Sequence, residues 1–169
     1  MATAKTAPFY LTAAVTLSDT NYTQTTIPLG SYIDVASKQA IAILEVDYVA
    51  QHLTTFSANL PSDRVIDYQL TDISQTALVR ADDANLISAG ALGFDLSPPT
   101  FSNQNKLYPD SFGTLEAARM VVNDDLFFGA LTSSVSTAGN FAVVRIKCQV
   151  VKLSEKDFMA LALNTVASA

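Results

Sequence analysis

The alternation of apolar and polar residues is clearest at the start of residues 139–166. Arg145, Lys147 and Gln149 are separated by apolar residues, which occupy every second position: Ala142, Val144, Ile146, Cys148 and Val150. Because successive side chains of a strand point to opposite faces, this pattern predicts a long strand with one buried and one charged face.

The period of the pattern changes after Ser154. Ser154 and Asp157 have the spacing of a helix N-cap followed by an acid at the third helical position. Phe158, Leu161, Ala162 and Val166 then follow at helical spacing. Residues 154–167 are therefore predicted to form a C-terminal amphipathic helix.

A second long alternation spans residues 40–51 and makes this segment a plausible partner of residues 142–150. It assigns one face to Ala42, Leu44, Val46, Tyr48 and Ala50.

The shorter predicted strands include two with special residues. Pro28 cannot donate a hydrogen bond to a neighbouring strand, so the strand that contains it ends there or lies at an edge of the sheet. Gly129 is a possible bulge. The shorter predicted strands are residues 9–17, 22–29, 64–71, 76–80, 117–122 and 126–131.

Two segments carry weaker patterns. In residues 82–94, Asp82 or Asp83 could cap a short helix that Gly90 and Gly93 would end. Residues 97–110 contain three prolines and no periodicity, which predicts a long loop. Loops of this length usually bind a ligand or hold a neighbouring subunit.

These segments define an all-β fold. About eight strands, little helix before residue 154 and no strand–helix alternation predict an antiparallel eight-stranded sandwich. Its closest type is a single jelly roll, finished by the short C-terminal helix. The 169 residues suit one domain, residues 1–169, with no repeat and no linker.

Charge narrows the range of partners. The net charge is −6, and Lys5 and Lys38 are the only cations before Arg64. Nucleic-acid binding relies on clustered Lys and Arg, so strong direct binding through a basic arm is not expected. Charged residues make up 15% of the chain, below the usual value of about 25%. Such a surface suits burial against a partner, or a monomer with a neutral polar surface.

Cysteine and hydropathy indicate the compartment. Cys148 is the only cysteine, which excludes an intrachain disulfide and a cysteine-based zinc site, and it is expected to be a buried free thiol. The N-terminus lacks the apolar core of a signal peptide. No run approaches the ~20 apolar residues of a transmembrane segment. We expect a soluble protein made in the cytosol.

The chemical groups needed for catalysis are sparse. His52 is the only histidine, and no GxSxG elbow accompanies it. The acidic doublets 82–83 and 124–125 could offer oxygens to calcium, although caps and turns explain them more simply. Glu45 and Asp47 could form a glycosidase pair but lack an opposed partner. No catalytic residue, cofactor or metal site is therefore assigned, and the chain is expected not to be an enzyme.

Apolar side chains outside the strand faces are candidates for subunit contact. Three aromatic residues in and after the predicted loop either plug the end of the sandwich or contact a neighbour. The helix is apolar over more of its circumference than one sheet can cover. The predicted interface residues are Phe101, Tyr108, Phe112, Phe158, Met159, Leu161 and Leu163.

Two regions of the chain, the second made of two segments, resemble small single-jelly-roll capsid proteins of viruses. Residues 23–51 (TQTTIPLGSYIDVASKQAIAILEVDYVAQ) are similar to the early strands of these proteins: a Thr-rich strand, a short Y-x-D-V bend and a long apolar strand. The segments VVNDDLFFGAL and FAVVRIKCQVVKLSEKDFMALAL resemble their last pair of strands. The resemblance spans about half of the chain. It implies a self-assembling, non-catalytic coat protein of the virion, made in the host cytoplasm, whose partners are further copies and other capsid proteins.

One feature departs from that family. Many such proteins carry a basic N-terminal arm, and this chain does not. The resemblance then implies that another protein, polyamines or ions condense the genome, or that an internal membrane encloses it. The alternatives are a lectin-like sandwich that binds a glycan or protein through residues 97–110, and, less favoured, a sandwich hydrolase.

Overall fold

The residues that the structure describes form ten strands and one helix. The computed structural model describes residues 2–18, 20–54, 56, 64–95, 102–109, 112–133 and 139–167. The strands are β1 (Thr3–Ala4), β2 (Phe9–Thr16), β3 (Thr23–Pro28), β4 (Gln39–His52), β5 (Arg64–Thr71), β6 (Leu86–Asp95), β7 (Ser102–Tyr108), β8 (Arg119–Val121), β9 (Asp125–Thr132) and β10 (Asn140–Lys152). The helix is α1 (Glu155–Ala167).

The strands form two antiparallel sheets. The first has the order β1-β10-β4-β8, with β2 also paired to β10, and the second has the order β3-β9-β5-β6-β7. The pairings are nested: β2 with β10, β3 with β9, β4 with β8, and β5 with β6. In this nesting, the first strand of each series pairs with the last, the second with the next to last, and so on inwards. An antiparallel chain with this pairing, divided into two sheets, is a jelly roll. The predicted antiparallel sandwich is confirmed. Its four nested pairs supply eight strands, and β1 and β7 are additional strands of the two sheets.

The two long strands pair as predicted, with an irregularity in the middle. Residues 140–152 of β10 run antiparallel to residues 39–52 of β4. Lys147 lies opposite Glu45, whereas Cys148 lies opposite Ile43, so Leu44 is an extra residue on β4. The backbone N–H of Phe112 donates to the Leu44 carbonyl at 3.0 Å. The arrangement is a β-bulge.

The bulge changes which side of β4 faces the core. Ile41 and Ile43 lie in the main core with Val46, whereas Ala42 belongs to a separate cluster on the other side of the sheet. The prediction that Ala42 shares one face with Val46 is therefore wrong. An extra residue shifts the two-residue period by one, and the alternation within β4 alone does not reveal where this happens.

The main core lies between the sheets. The predicted apolar face of β10 is confirmed, since Ala142, Val144, Ile146, Cys148 and Val150 are all buried. Tyr48 of β4 stacks on Tyr68 of β5 with ring centroids 5.2 Å apart, which joins the two sheets. A second cluster lies on the outer face of the first sheet beneath α1 and consists of Ala40, Ala42, Val151, Leu153 and Phe158.

Three predicted segments differ in the structure. Residues 76–80 form no strand, and Val79 N–H instead donates to Gln69 Oε1 at 2.8 Å. The short helix predicted in residues 82–94 is wrong, because residues 86–95 form β6 between β5 and β7. Leu86, Ile87 and Ser88 are consecutive and all buried. Burial of successive residues removes the alternation that would have indicated a strand.

Most of the described part of the predicted loop at residues 97–110 is also a strand. Residues 102–108 form β7, residue 109 follows it, and residues 97–101 and 110 lie outside the described residues. Gly129 is not a bulge, since its register is continuous with both neighbouring strands. A Cβ at Gly129 would lie 1.9 Å from the Tyr22 hydroxyl, so glycine allows the tyrosine to cross the strand closely.

Candidate subunit-contact surface

The start of α1 is fixed by several local contacts. Asp157 N–H donates to Ser154 Oγ at 3.2 Å, which confirms the predicted N-cap. Lys38 Nζ lies 3.0 Å from Glu155 Oε2, and Leu153 N–H donates to the Lys38 carbonyl at 3.0 Å. The helix therefore begins against the turn that precedes β4, over the second cluster.

The two sides of α1 differ in exposure. Phe158 is 5% exposed and packs into the second cluster, and Leu161 packs partly against the same cluster. Met159 is 54% exposed and Leu163 is 65% exposed. The sheet therefore covers one side of this helix, as the sequence predicts, and large apolar side chains remain on the other.

An apolar groove adjoins the helix. Its volume is about 500 Å³, and it lies between α1, the start of the chain and the segment that leads into β8. The lining residues are Ala2, Leu115, Glu116, Met120, Leu153, Asp157, Ala160 and Leu161. We call the groove together with Met159 and Leu163 the helix surface. Its composition suits burial of an apolar partner with few ions to desolvate.

The three aromatic candidates from the predicted loop have separate positions. Phe112 is partly buried and packs against the main core. Tyr108 is the last residue of β7, and its side chain lies outside the described set. Phe101 lies outside the described residues altogether.

A polar cluster lies near the helix surface. Arg119 Nη2 is 3.3 Å from Asp72 Oδ2 and donates to the Ala84 carbonyl at 2.9 Å. Burial raises the pKa of the Asp72 carboxyl, and the Arg119 guanidinium opposes that rise. Asn123 Nδ2 donates to the Asp72 carbonyl at 2.8 Å. A cavity of about 240 Å³ adjoins these residues. They connect the β5–β6 link to β8.

The histidine and the cysteine are not brought together. His52 lies opposite Asn140 on β10, whereas Cys148 lies opposite Ile43. Eight residues of strand separate these positions, or about 26 Å. Cys148 is a buried free thiol, as predicted, and burial raises its pKa to about 12. The Thr54 hydroxyl is 3.0 Å from His52 Nδ1. Cys148 and His52 therefore do not form a nucleophile–base pair.

The acidic candidates have structural contacts. Glu45 lies 3.6 Å from Lys147 Nζ on the neighbouring strand. Asp83 Oδ1 accepts from Asn85 N–H at 2.8 Å, which is a turn contact. Asp124 accepts Leu29 N–H through its backbone carbonyl at 2.6 Å. Within the described ranges, no three His, Cys, Asp or Glu side chains are grouped as metal ligands.

Sequence reasoning did not identify most of the groove. Ala2, Leu115 and Met120 are far apart in sequence and belong to short or irregular segments. A three-residue strand such as β8 is too short to show periodicity. The excess of apolar residues on α1 was the sequence feature that indicated this surface. It did not indicate the lining residues of the groove that lie outside α1.

The strand order and nested pairing define the class of this protein as a single jelly roll. No protein-family model matches the sequence, and no curated protein matches it. None of the described helices is long and apolar enough to span a membrane.

Several solved structures similar to this chain are viral capsid proteins, and a putative glycoside hydrolase is also similar to it. VP1 of Trichodysplasia spinulosa-associated polyomavirus, in complex with sialylated glycooligomers, has 6% identity and a TM-score of 0.49, with 86% of this chain and 95% of VP1 covered. The tomato aspermy virus structure has 12% identity and a TM-score of 0.40, with coverage of 88% and 79%. VP1 of Merkel cell polyomavirus has 6% identity and a TM-score of 0.39, with coverage of 89% and 96%.

Proposed function

We propose that this chain is a structural capsid protein that acts as one domain, assembles with further copies of itself into a viral shell and performs no catalysis. The observation that carries the proposal is where the capsid-like sequence segments lie in the fold. Residues 23–51 form β3, a turn and β4, in the order that the resemblance implies. Residues 121–163 contain β9, β10 and most of α1.

The helix surface is the proposed contact between subunits. Met159 and Leu163 are each more than half exposed. Complete burial of this exposed surface against a neighbouring subunit would stabilise the contact by about 1–2 kcal/mol for each residue. Leu161 and the apolar groove add further area. A shell repeats each contact by symmetry, so modest contacts suffice for a closed assembly.

The charge distribution suits a shell that does not hold its genome through a basic patch. Lys38, Arg80, Arg119 and Lys147 each lie within 3.6 Å of an acidic side chain. A paired cation is less available to release counterions from phosphates. Condensation of the genome is assigned to another component of the particle.

Among the residues assigned to the lectin alternative, residues 102–108 lie in a strand and not in a loop. That proposal required residues 97–110 to present a ligand site, and residues 102–108 are paired with β6 as strand β7. The lining of the groove is mainly apolar, with Glu116 and Asp157 as its charged members, which favours an apolar protein partner over a sugar. The structural role is therefore preferred.

The test replaces one exposed leucine on α1. Leu163→Glu is expected to leave the fold intact and to abolish assembly, because the new carboxylate would be buried against the next subunit. Leu53→Glu is the matched control: Leu53 is 63% exposed, against 65% for Leu163, and follows β4 at the opposite end of β10 from the helix.

Assembly is measured on the full chain by size-exclusion chromatography with light scattering and by electron microscopy. Circular dichroism and thermal unfolding check the fold of each variant. The proposal predicts particles from the unmodified chain and from Leu53→Glu, and folded small species from Leu163→Glu. A monodisperse 18 kDa monomer from the unmodified chain at high concentration overturns the capsid role. Particles from Leu163→Glu overturn the assignment of the helix surface.

A further inference from the structure

The free edge of β2 is unusual because nothing in its sequence blocks pairing with another strand. Among the described strands, only β10 pairs with β2. The eight residues FYLTAAVT contain no charge and no proline, and their register with β10 is continuous. Natural proteins usually protect edge strands with charges, prolines or bulges. An eight-residue edge without these features is a template for a further strand.

The hydrogen bonds between β2 and β10 show which backbone groups of β2 point away from β10, towards the free edge. Leu17 N–H donates to the Asn140 carbonyl at 3.0 Å, and the register continues along β2 without a shift. In an antiparallel ladder, the hydrogen-bonding groups of alternate residues point to the same neighbour. The odd-numbered residues of β2 therefore bond β10. Tyr10, Thr12 and Ala14 direct their N–H and C=O groups to the free edge.

We propose that β2 pairs antiparallel with β2 of a second copy of this chain, about a two-fold axis at Thr12, so that the first sheets of two subunits become one continuous sheet. This inference rests on the proposed function and adds a second kind of subunit contact to it. Thr12 faces Thr12 of the second copy, and Tyr10 faces Ala14. The three outward-facing residues of each strand then exchange about six hydrogen bonds.

Charge favours a second copy as the occupant. In a homotypic antiparallel pair, the central residue faces itself, and any charge near the axis would meet a like charge. No residue of β2 is charged. The cations of β10 that lie beside β2 have other contacts: the Arg145 guanidinium lies 4.9 Å from the centroid of the Tyr10 ring, and Lys147 pairs with Glu45. The edge is thus electrostatically compatible with its own copy.

Side-chain size and the ends of the strand also suit an axis at Thr12. The pairing places the large Tyr10, which is 51% exposed, opposite the small Ala14, and Thr–Thr pairs are favourable across strands. The pair would end where Thr16 meets Pro8. Proline has no N–H to donate, and the Thr16 carbonyl already accepts from Thr23 Oγ1 at 3.2 Å.

Cysteine cross-linking on the full chain tests this pairing directly. In Thr12→Cys, the two new thiols would lie across the axis with Cα atoms about 5.5 Å apart, within disulfide range. In Ala14→Cys, the thiols would be offset by four residues, or about 14 Å along the strand. Cys148 is buried and contributes little background. Under mild oxidation, the expected main product is a covalent dimer for Thr12→Cys and a monomer for Ala14→Cys, on denaturing gels without reductant.

The outcomes separate this inference from the proposed function. The β2 pair is overturned if particles form but Thr12→Cys stays unlinked, or if Ala14→Cys links equally well. In either case, the proposed capsid role is not affected. A linked Thr12→Cys dimer without any particle supports the pair and counts against the shell.

A second pair of variants applies if Thr12→Cys fails to fold. Thr12→Lys places like charges at the axis and is expected to remove the dimer, whereas Thr26→Lys, on the exposed side of edge strand β3, is not. Sedimentation velocity measures both variants. An unchanged dimer population in Thr12→Lys overturns the proposal.

Discussion

Phe158→Ala tests whether the inner side of α1 belongs to the fold rather than to the assembly. Phe158 is 5% exposed and packs into the second cluster with Val151 and Leu153. Truncation of a buried phenylalanine costs about 3–5 kcal/mol, through lost burial and the cavity that remains. Leu163→Ala, on the exposed side of the same helix, is expected to change stability by less than ~0.5 kcal/mol. The two sides of one helix should therefore respond very differently.

Urea unfolding followed by circular dichroism measures this difference. For a slope of ~2 kcal/mol/M, Phe158→Ala is expected to lower the midpoint by about 1.5–2.5 M. The slope itself should stay unchanged if α1 unfolds together with the sheets. A midpoint shift no larger than that of Leu163→Ala would refute the packing of α1 on the sheet. A lower slope in the unmodified chain, with two separate transitions, would mean that the helix unfolds independently.

The other predictions concern close packing and buried charge. Gly129→Ala should destabilise the fold by about 1–3 kcal/mol, because the new methyl group displaces the Tyr22 hydroxyl from its hydrogen bond with buried Gln69. Gly30→Ala, with nothing within 4 Å, is the control in thermal unfolding, and equal melting temperatures for the two variants would contradict the reasoning. Because the pKa of Asp72 is raised, its contribution to stability is greatest below the ordinary aspartate pKa and is lost as pH rises through the raised value. Asp72→Asn should therefore gain stability relative to the unmodified chain from pH 4 to 7 in urea titrations, and a relative loss over that range would show that the ion pair outweighs desolvation.

Elements with a sustained period were predictable from sequence alone. The long strand β10 shows two-residue alternation because one of its faces is buried in the main core and the other is partly exposed. The helix was predictable because Ser154 caps it and the spacing of its apolar residues changes to the helical period. Both signals are local, so neither requires knowledge of the partner strand.

The missed elements depend on distant contacts. β6 carries consecutive buried residues between two neighbouring strands, and β7 is a short polar run whose strand state follows from pairing with β6. The bulge at Leu44 becomes visible only when β4 is aligned with β10. The groove joins Ala2 to Leu161. Local periodicity cannot predict such arrangements, because the information lies in long-range packing.

The nested pairing has a consequence for how the chain folds during synthesis. Phe9 pairs with Cys148, 139 residues later, so β2 lacks its native neighbour until those further residues have been translated. At ordinary translation rates, this wait lasts on the order of 10 s. High contact order also slows closure of the sheet. The uncharged β2 is therefore most open to unwanted association on the ribosome, and the completed edge becomes available only after β10 has joined the first sheet.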